Sequence, residues 1–125
     1  LTKNNIGTTV IVAADYGGRW DLVNSTLEIC NKIRSKELSA EQINEAMINK
    51  HTSLGGFPDP DLCIRTGGER RLSNFLLWHF AYTEFYFTDC FWPDFNKSEL
   101  QLALDDYAHR QRRFGGQNKT FRLGN

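Results

Sequence analysis

The chain has no excess charge of either sign, because fifteen basic residues face fifteen acidic ones. No global field therefore points to nucleic acid or to an anionic membrane as a partner. Cysteine is scarce and odd in number, at Cys30, Cys63 and Cys90, with no Cys-x-x-Cys pair. That spacing signals neither a disulfide framework nor a zinc site, and reduced thiols in a cytosolic protein are the simplest account. No run of about twenty apolar residues could span a bilayer, and there is no internal repeat or low-complexity segment. Methionine occurs once, at Met47, and the chain opens at Leu1 on the approach to an apolar run. A piece of a longer polypeptide is the expectation. What remains is an ordinary soluble composition on 125 residues, enough for one domain with a sizeable core.

Periodicity suggests the order of elements. Thr8–Ala14 is a continuous β-branched and small apolar run, which reads as an interior strand of a parallel sheet. A glycine turn at Tyr16–Asp21 follows, then a helix from about Asp21 to Arg34 with Val23, Leu27, Cys30 and Ile33 on its inward face. Ser39 with Gln42 makes a capping box for a second helix. After the breaker-rich loop 54–61 come a strand at Leu62–Arg65, a second glycine turn, and a helix from Asn74 to about Tyr82. Glu84–Phe87 is an aromatic strand, Phe91–Phe95 an aromatic loop, and Asn96 with Glu99 opens a helix from Lys97 to about Phe114, stopped by Gly115 and Gly116. The predicted class is α/β, a parallel sheet flanked by helices. Ligands of such sheets bind beyond the carboxyl ends of the strands.

The richest stretch lies at one of those ends. Leu62-Cys63-Ile64-Arg65-Thr66-Gly67-Gly68-Glu69-Arg70-Arg71-Leu72-Ser73-Asn74-Phe75 brings three guanidinium groups to a glycine turn and to the start of an expected helix. Glycine lets a ligand approach the main chain, and the first N–H groups of a helix lack internal partners and favour phosphate oxygens. Arginine offers a planar fork of donors that matches phosphate geometry. A diphosphate fits such a place best, with Arg65, Arg70 and Arg71 as its candidates and Ser73 adding a hydroxyl or simply capping the helix. Glu84 has two open readings, an arginine salt bridge or a magnesium ligand beside a substrate phosphate. Arg110, Arg112, Arg113, Gly115 and Gly116 form a second basic cluster that a helix terminus alone would explain. His51, His79 and His109 show no metal-ligand spacing. The aromatics between Phe75 and Phe95 suit a large apolar interior or a dimer face.

Six strings in order resemble the cis-prenyltransferase family, and within it the bacterial undecaprenyl diphosphate synthases. They are Tyr16-Gly17-Gly18-Arg19-Trp20-Asp21, Ile64-Arg65-Thr66-Gly67-Gly68-Glu69, Arg71-Leu72-Ser73-Asn74-Phe75-Leu76-Leu77-Trp78, Glu84-Phe85-Tyr86-Phe87-Thr88-Asp89, Trp92-Pro93-Asp94-Phe95 and Arg112-Arg113-Phe114-Gly115-Gly116. The resemblance implies the carboxy-terminal half of that fold. Residues 1–116 would form part of a single domain, and 117–125 a loosely ordered polar tail. It also implies a homodimeric, cytoplasmic enzyme, peripheral at the inner face of the plasma membrane, that uses Mg2+. The reaction would extend farnesyl diphosphate with isopentenyl diphosphate units through new Z double bonds. The product, undecaprenyl diphosphate, would partition to the membrane as a lipid carrier for cell-wall sugars.

By the same resemblance Arg65, Arg71 and Ser73 hold the diphosphate of isopentenyl diphosphate, and Glu84 helps bind magnesium. Arg113 and Gly115 match an Arg-x-Gly motif that reaches the partner subunit's diphosphate site. Arg70, standing where bacterial members often have histidine, and Asp21 are weaker substrate-binding carry-overs. The family's Asp-Gly-Asn-Gly-Arg-Trp loop, whose aspartate binds magnesium under the allylic diphosphate, does not occur in these residues. No catalytic residue is therefore assigned within them, and alone they are expected to be inactive or nearly so. A different class, a non-catalytic accessory subunit of a heteromeric relative, remains open. A generic nucleotide-phosphate module fits the glycine loop but not the other strings.

Overall fold

The computed structural model describes residues 4–110 of the chain. It divides into two compact units, one running to Gly56 and including Asn74–Leu76, the other made of Phe57–Ser73 and the residues from Leu77 onward.

The first unit is built on helix α1 (Gly18–Arg34) and the shorter α2 (Glu45–His51). The buried side of α1 is Asp21, Ser25 and Ile29, a spacing of four that places one residue per turn on the same stripe. The inward face expected from periodicity differs: Val23 and Leu27 are more than half exposed and Cys30 is exposed. Polar contacts decided the rotation of the helix. Ser25 Oγ lies 2.7 Å from Asp21 O and 3.0 Å from His51 O, so a hydroxyl joins α1 to the end of α2. Asn44 caps α2 by accepting from Met47 N–H at 2.9 Å. The Ser39–Gln42 box forms as read, with Gln42 Oε1 accepting from Ser39 N–H at 2.8 Å, but it closes a 3₁₀ turn at Ala40–Gln42 and not α2 itself.

Thr8–Ala14 is not a strand. These residues are exposed and irregular, with Val10 and Val12 at 80% and 83% exposure. A strand exists only through a partner that takes its N–H and C=O groups. Among the described residues none pairs with it.

The second unit holds a parallel pair, β1 (Leu62–Arg65) and β2 (Glu84–Phe87), in register Leu62↔Glu84 to Arg65↔Phe87. The entry to both strands is laced together. Glu84 N–H donates to Asp61 O at 3.0 Å, and Thr83 Oγ1 donates to Pro60 O at 2.7 Å. His79, 1% exposed, sets Nδ1 2.9 Å from Asp59 Oδ1. Phe80 meets Phe85 edge-to-face at 5.3 Å. Helix α3 (Lys97–His109) packs on β2 with Ala103 fully buried. Its cap is Asn96, whose Oδ1 accepts from Ser98 N–H at 2.9 Å and Glu99 N–H at 3.3 Å.

The helix expected from Asn74 to Tyr82 is replaced by a succession of turns. Ser73, Asn74 and Leu76 have φ of 49°, 64° and 43°, a left-handed conformation that cannot propagate a right-handed helix. The tail and the Arg112–Gly116 cluster, including Arg113 and Gly115, lie outside the described residues.

Candidate functional site

The cationic turn begins where β1 ends. Gly67 and Gly68 are consecutive residues at φ 83° and 76°, a reversal that side chains resist. Their N–H groups are not free for a ligand, contrary to the expectation from sequence. Gly67 donates to Cys90 O at 2.8 Å and Gly68 to Thr88 O at 3.0 Å, which ties the turn to the segment leaving β2. A Cβ on Gly68 would stand 3.2 Å from Asp89 Oδ1, so this seat is cut for glycine. With these two glycine amides spent and no helix following, the charged side chains of the turn are the groups to consider for an anion.

Those side chains are arginines in or near solvent. Arg65 donates from Nη1 to the carbonyl oxygen of Arg71, closing the turn across six residues. Arg71 in turn pairs through Nη2 with Glu69 Oε2 at 2.7 Å, on side chains 70% and 45% exposed. Arg70 is exposed and makes no ion pair to a described residue, and Ser73 is exposed on its left-handed backbone. The structure thus joins Arg65 to Arg71 and, among the described residues, gives most of their donors no partner, since each guanidinium carries five N–H groups.

Glu84, at the head of β2, is an ion-pair residue. Arg110 Nη1 sits 2.9 Å from Glu84 Oε2 while its Nε and Nη2 reach Asp106 Oδ2, and these bonds hold the guanidinium more firmly charged than usual. Magnesium takes oxygen ligands in near-octahedral array, usually one or two carboxylates with water and substrate phosphates. Among the described residues no group of three His, Cys, Asp or Glu side chains is placed to hold a metal ion. One oxygen of Glu84 is thus engaged by arginine.

Asp21 belongs to the first unit and is 3% exposed. Its Oδ2 accepts from the Tyr16 hydroxyl at 2.8 Å, and its Oδ1 from both the N–H and the hydroxyl of Ser53, each at 2.8 Å. Burial, followed by the hydrogen bond to Asp21 and its charge, pushes the Tyr16 phenol well above its ordinary pKa. Tyr16 lines a cavity of about 400 Å³ together with Asp15, Gly17 and Trp20.

Sequence reasoning missed what Asn74 does. It does not cap a helix of its own; it caps α1. Gly18 N–H donates to Asn74 O at 2.6 Å and Arg19 N–H to Asn74 Oδ1 at 2.9 Å. Gly17 at the N-cap has no side-chain oxygen to offer, and a Cβ there would come within 2.9 Å of Asn74 Nδ2. The glycine at an N-cap was the available signal, because orphan helix N–H groups must find an acceptor somewhere.

The fold and the turn together define an α/β protein with a cationic loop at the carboxyl end of a parallel pair. Residues 1–115 match the prenyltransferase family model described as putative undecaprenyl diphosphate synthase, and the chain belongs to that family. It is 49% identical over 116 residues to the ditrans,polycis-undecaprenyl-diphosphate synthase ((2E,6E)-farnesyl-diphosphate specific) of Escherichia coli K12, covering 93% of this chain and 46% of that protein. An isoprenyl transferase of Neisseria gonorrhoeae is 49% identical over 124 residues, 99% of this chain and 48% of that one. The chain therefore spans about half the length of the curated relatives it matches. Among solved structures, lavandulyl diphosphate synthase from Lavandula x intermedia, in complex with dimethylallyl diphosphate, superposes with a TM-score of 0.78 at 45% identity. That match covers 82% of this chain and 44% of the other. A probable undecaprenyl diphosphate synthase from Campylobacter jejuni gives 0.67 at 32% identity, over 82% and 45%.

Proposed function

We propose that this chain is part of an enzyme of Z-selective prenyl chain elongation, which condenses isopentenyl diphosphate units onto farnesyl diphosphate to make undecaprenyl diphosphate. The observation that carries the reading is the joined pair Arg65 and Arg71 across the glycine turn, in a chain of this family. Here Arg65, Arg71 and Ser73 clamp the diphosphate of isopentenyl diphosphate, with Arg70 as a further cation. Clamping fixes the double bond against the allylic carbon, which turns an encounter into a near-attack geometry. The allylic diphosphate leaves with growing negative charge, and positive donors placed beforehand stabilise it. Arg113 and Gly115 would complete the site of a second copy in a homodimer, whose other contacts include the aromatic stretch near Phe91 and Trp92.

Magnesium dependence belongs to this reading through the family resemblance, and Glu84 would have to release Arg110 to take part. Asp21 serves substrate binding from within the first unit. Residues 1–116 act as one portion of a catalytic domain, at the cytoplasmic face where the lipid product enters the membrane. No described helix is long and apolar enough to cross a bilayer.

The test is incorporation of labelled isopentenyl diphosphate by the full-length enzyme with magnesium and farnesyl diphosphate. Long Z-polyprenyl diphosphates are expected; only trans products, or none, overturn the proposal. The alternative, an accessory subunit, is disfavoured by the intact Arg65–Glu69 string, because a helper has little need of its own diphosphate clamp. Activity that appears only on mixing with a second, different chain would establish it.

A further inference from the structure

We infer that Ser53 is a positioning residue for the cavity ahead of α1, acting through the Asp21 carboxylate on Tyr16. The inference rests on the reading above that the Tyr16–Asp21 motif serves substrate binding, and it says how.

Asp21 is sequestered, and both its oxygens are in use. Oδ1 takes two donors from Ser53 and Oδ2 takes the Tyr16 hydroxyl, all at 2.8 Å. The cavity is lined by Asp15, Tyr16, Gly17 and Trp20, so Asp21 sits behind its wall and not in it. A buried carboxylate demands donors to replace lost water, which makes the three bonds mutually dependent. Ser53 lies 32 residues beyond Asp21 and just past α2, whose end is held to α1 by Ser25 and His51. A segment remote from the motif thereby fixes the Tyr16 ring, and with it one wall of this cavity. Asp21 reaches a prenyl diphosphate only through Tyr16.

The experiment uses the full-length enzyme and steady-state kinetics with each diphosphate varied in turn. Ser53→Ala, which keeps the N–H but removes the hydroxyl, is expected to raise at least one KM roughly 3- to 10-fold while kcat moves less than about twofold. Ser53→Thr restores the hydroxyl and the KM. Tyr16→Phe, which deletes one oxygen and keeps the cavity wall, gives the same KM rise, and the Ser53→Ala/Tyr16→Phe double variant is no worse than either single one. Wild-type KM values for Ser53→Ala and Tyr16→Phe beside a raised KM for Asp21→Asn would overturn the inference, since the carboxylate would then meet substrate itself. A purely structural role predicts lowered melting temperature with both KM values unchanged, and that result also overturns it. If the wild-type enzyme does not consume isopentenyl diphosphate, the function reading fails separately. The same double-variant cycle read in thermal unfolding then tests the Ser53–Asp21–Tyr16 link by itself, which additive effects refute.

Discussion

The two units treat charge in opposite ways. In the first, the Asp21 carboxylate is nearly inaccessible and receives three hydrogen bonds at 2.8 Å. In the second, Arg65 and Arg71 lean on a carbonyl and on an exposed glutamate. A buried, fully satisfied ion is costly to disturb and has nothing left to offer a ligand. A solvated ion pair is worth roughly 0–1 kcal/mol, so an incoming diphosphate with two or more charge-assisted bonds displaces it readily. Charges that are spent build the frame, and charges lightly held are the ones a ligand can recruit. Glu84 sits between these limits, about one-third exposed and paired with Arg110.

The largest expected effect bears on the lightly held side. Arg65→Ala should chiefly raise KM for isopentenyl diphosphate, by roughly 10- to 100-fold, the loss of charge-assisted hydrogen bonds worth about 1.5–3 kcal/mol. An unchanged KM in the full-length enzyme removes Arg65 from the site and erases the contrast.

The next effect tests the frame. Asn74→Gly tolerates the left-handed backbone but abolishes the side-chain half of the α1 cap, and should lower stability by about 1 kcal/mol. Asn74→Asp keeps the acceptor and adds a negative charge at a helix N-terminus, so most of that loss should be absent. Amide exchange at Arg19, faster in the glycine variant and not in the aspartate one, reports the bond directly.

Smaller again is Arg110→Ala. With both partners about one-third exposed, roughly 0.5 kcal/mol in denaturant unfolding is expected after solvent screening. A loss of several times that size would move Glu84 to the spent class.

The smallest is a slope. Tyr16 resists ionisation in the folded state, because burial, then the Asp21 hydrogen bond, raise its pKa. An unfolded tyrosine ionises near pH 10. The unfolded state therefore loses its proton first, so stability from Tyr16 is full below about pH 10 and declines as pH rises beyond it. Tyr16→Phe should make unfolding midpoints fall less between about pH 9 and about pH 11 than in the wild type. Equal slopes would show that the phenol is not held by Asp21.

Where local chemistry suffices, the sequence was legible. The apolar run before Arg65 and the aromatic run from Glu84 are strands with the bounds read from them, and Asn96 caps the helix that follows. Three misreadings share one cause. Thr8–Ala14 has strand composition but no described partner; α1 turns Asp21 and Ser25 inward ahead of Val23 and Leu27; and Asn74 serves a distant helix in place of its own. Each depends on a hydrogen-bond partner far along the chain, which periodicity does not see. The arginines of the candidate site were legible by type and spacing. That the glycine amides beside them are already occupied was not.

Family membership, the parallel strand pair and the identity of the cationic residues follow from the order of residues alone, because motifs, β-propensity and formal charge are properties of short stretches. Which polar groups are consumed is a different matter. Ser53 closing on Asp21, Asn74 on Gly18 and Arg19, and Arg110 on Glu84 are pairings across 26 to 56 positions. Only the tertiary structure decides them, since a hydrogen bond is set by proximity in space, and the same side chain is frame or site according to what it meets.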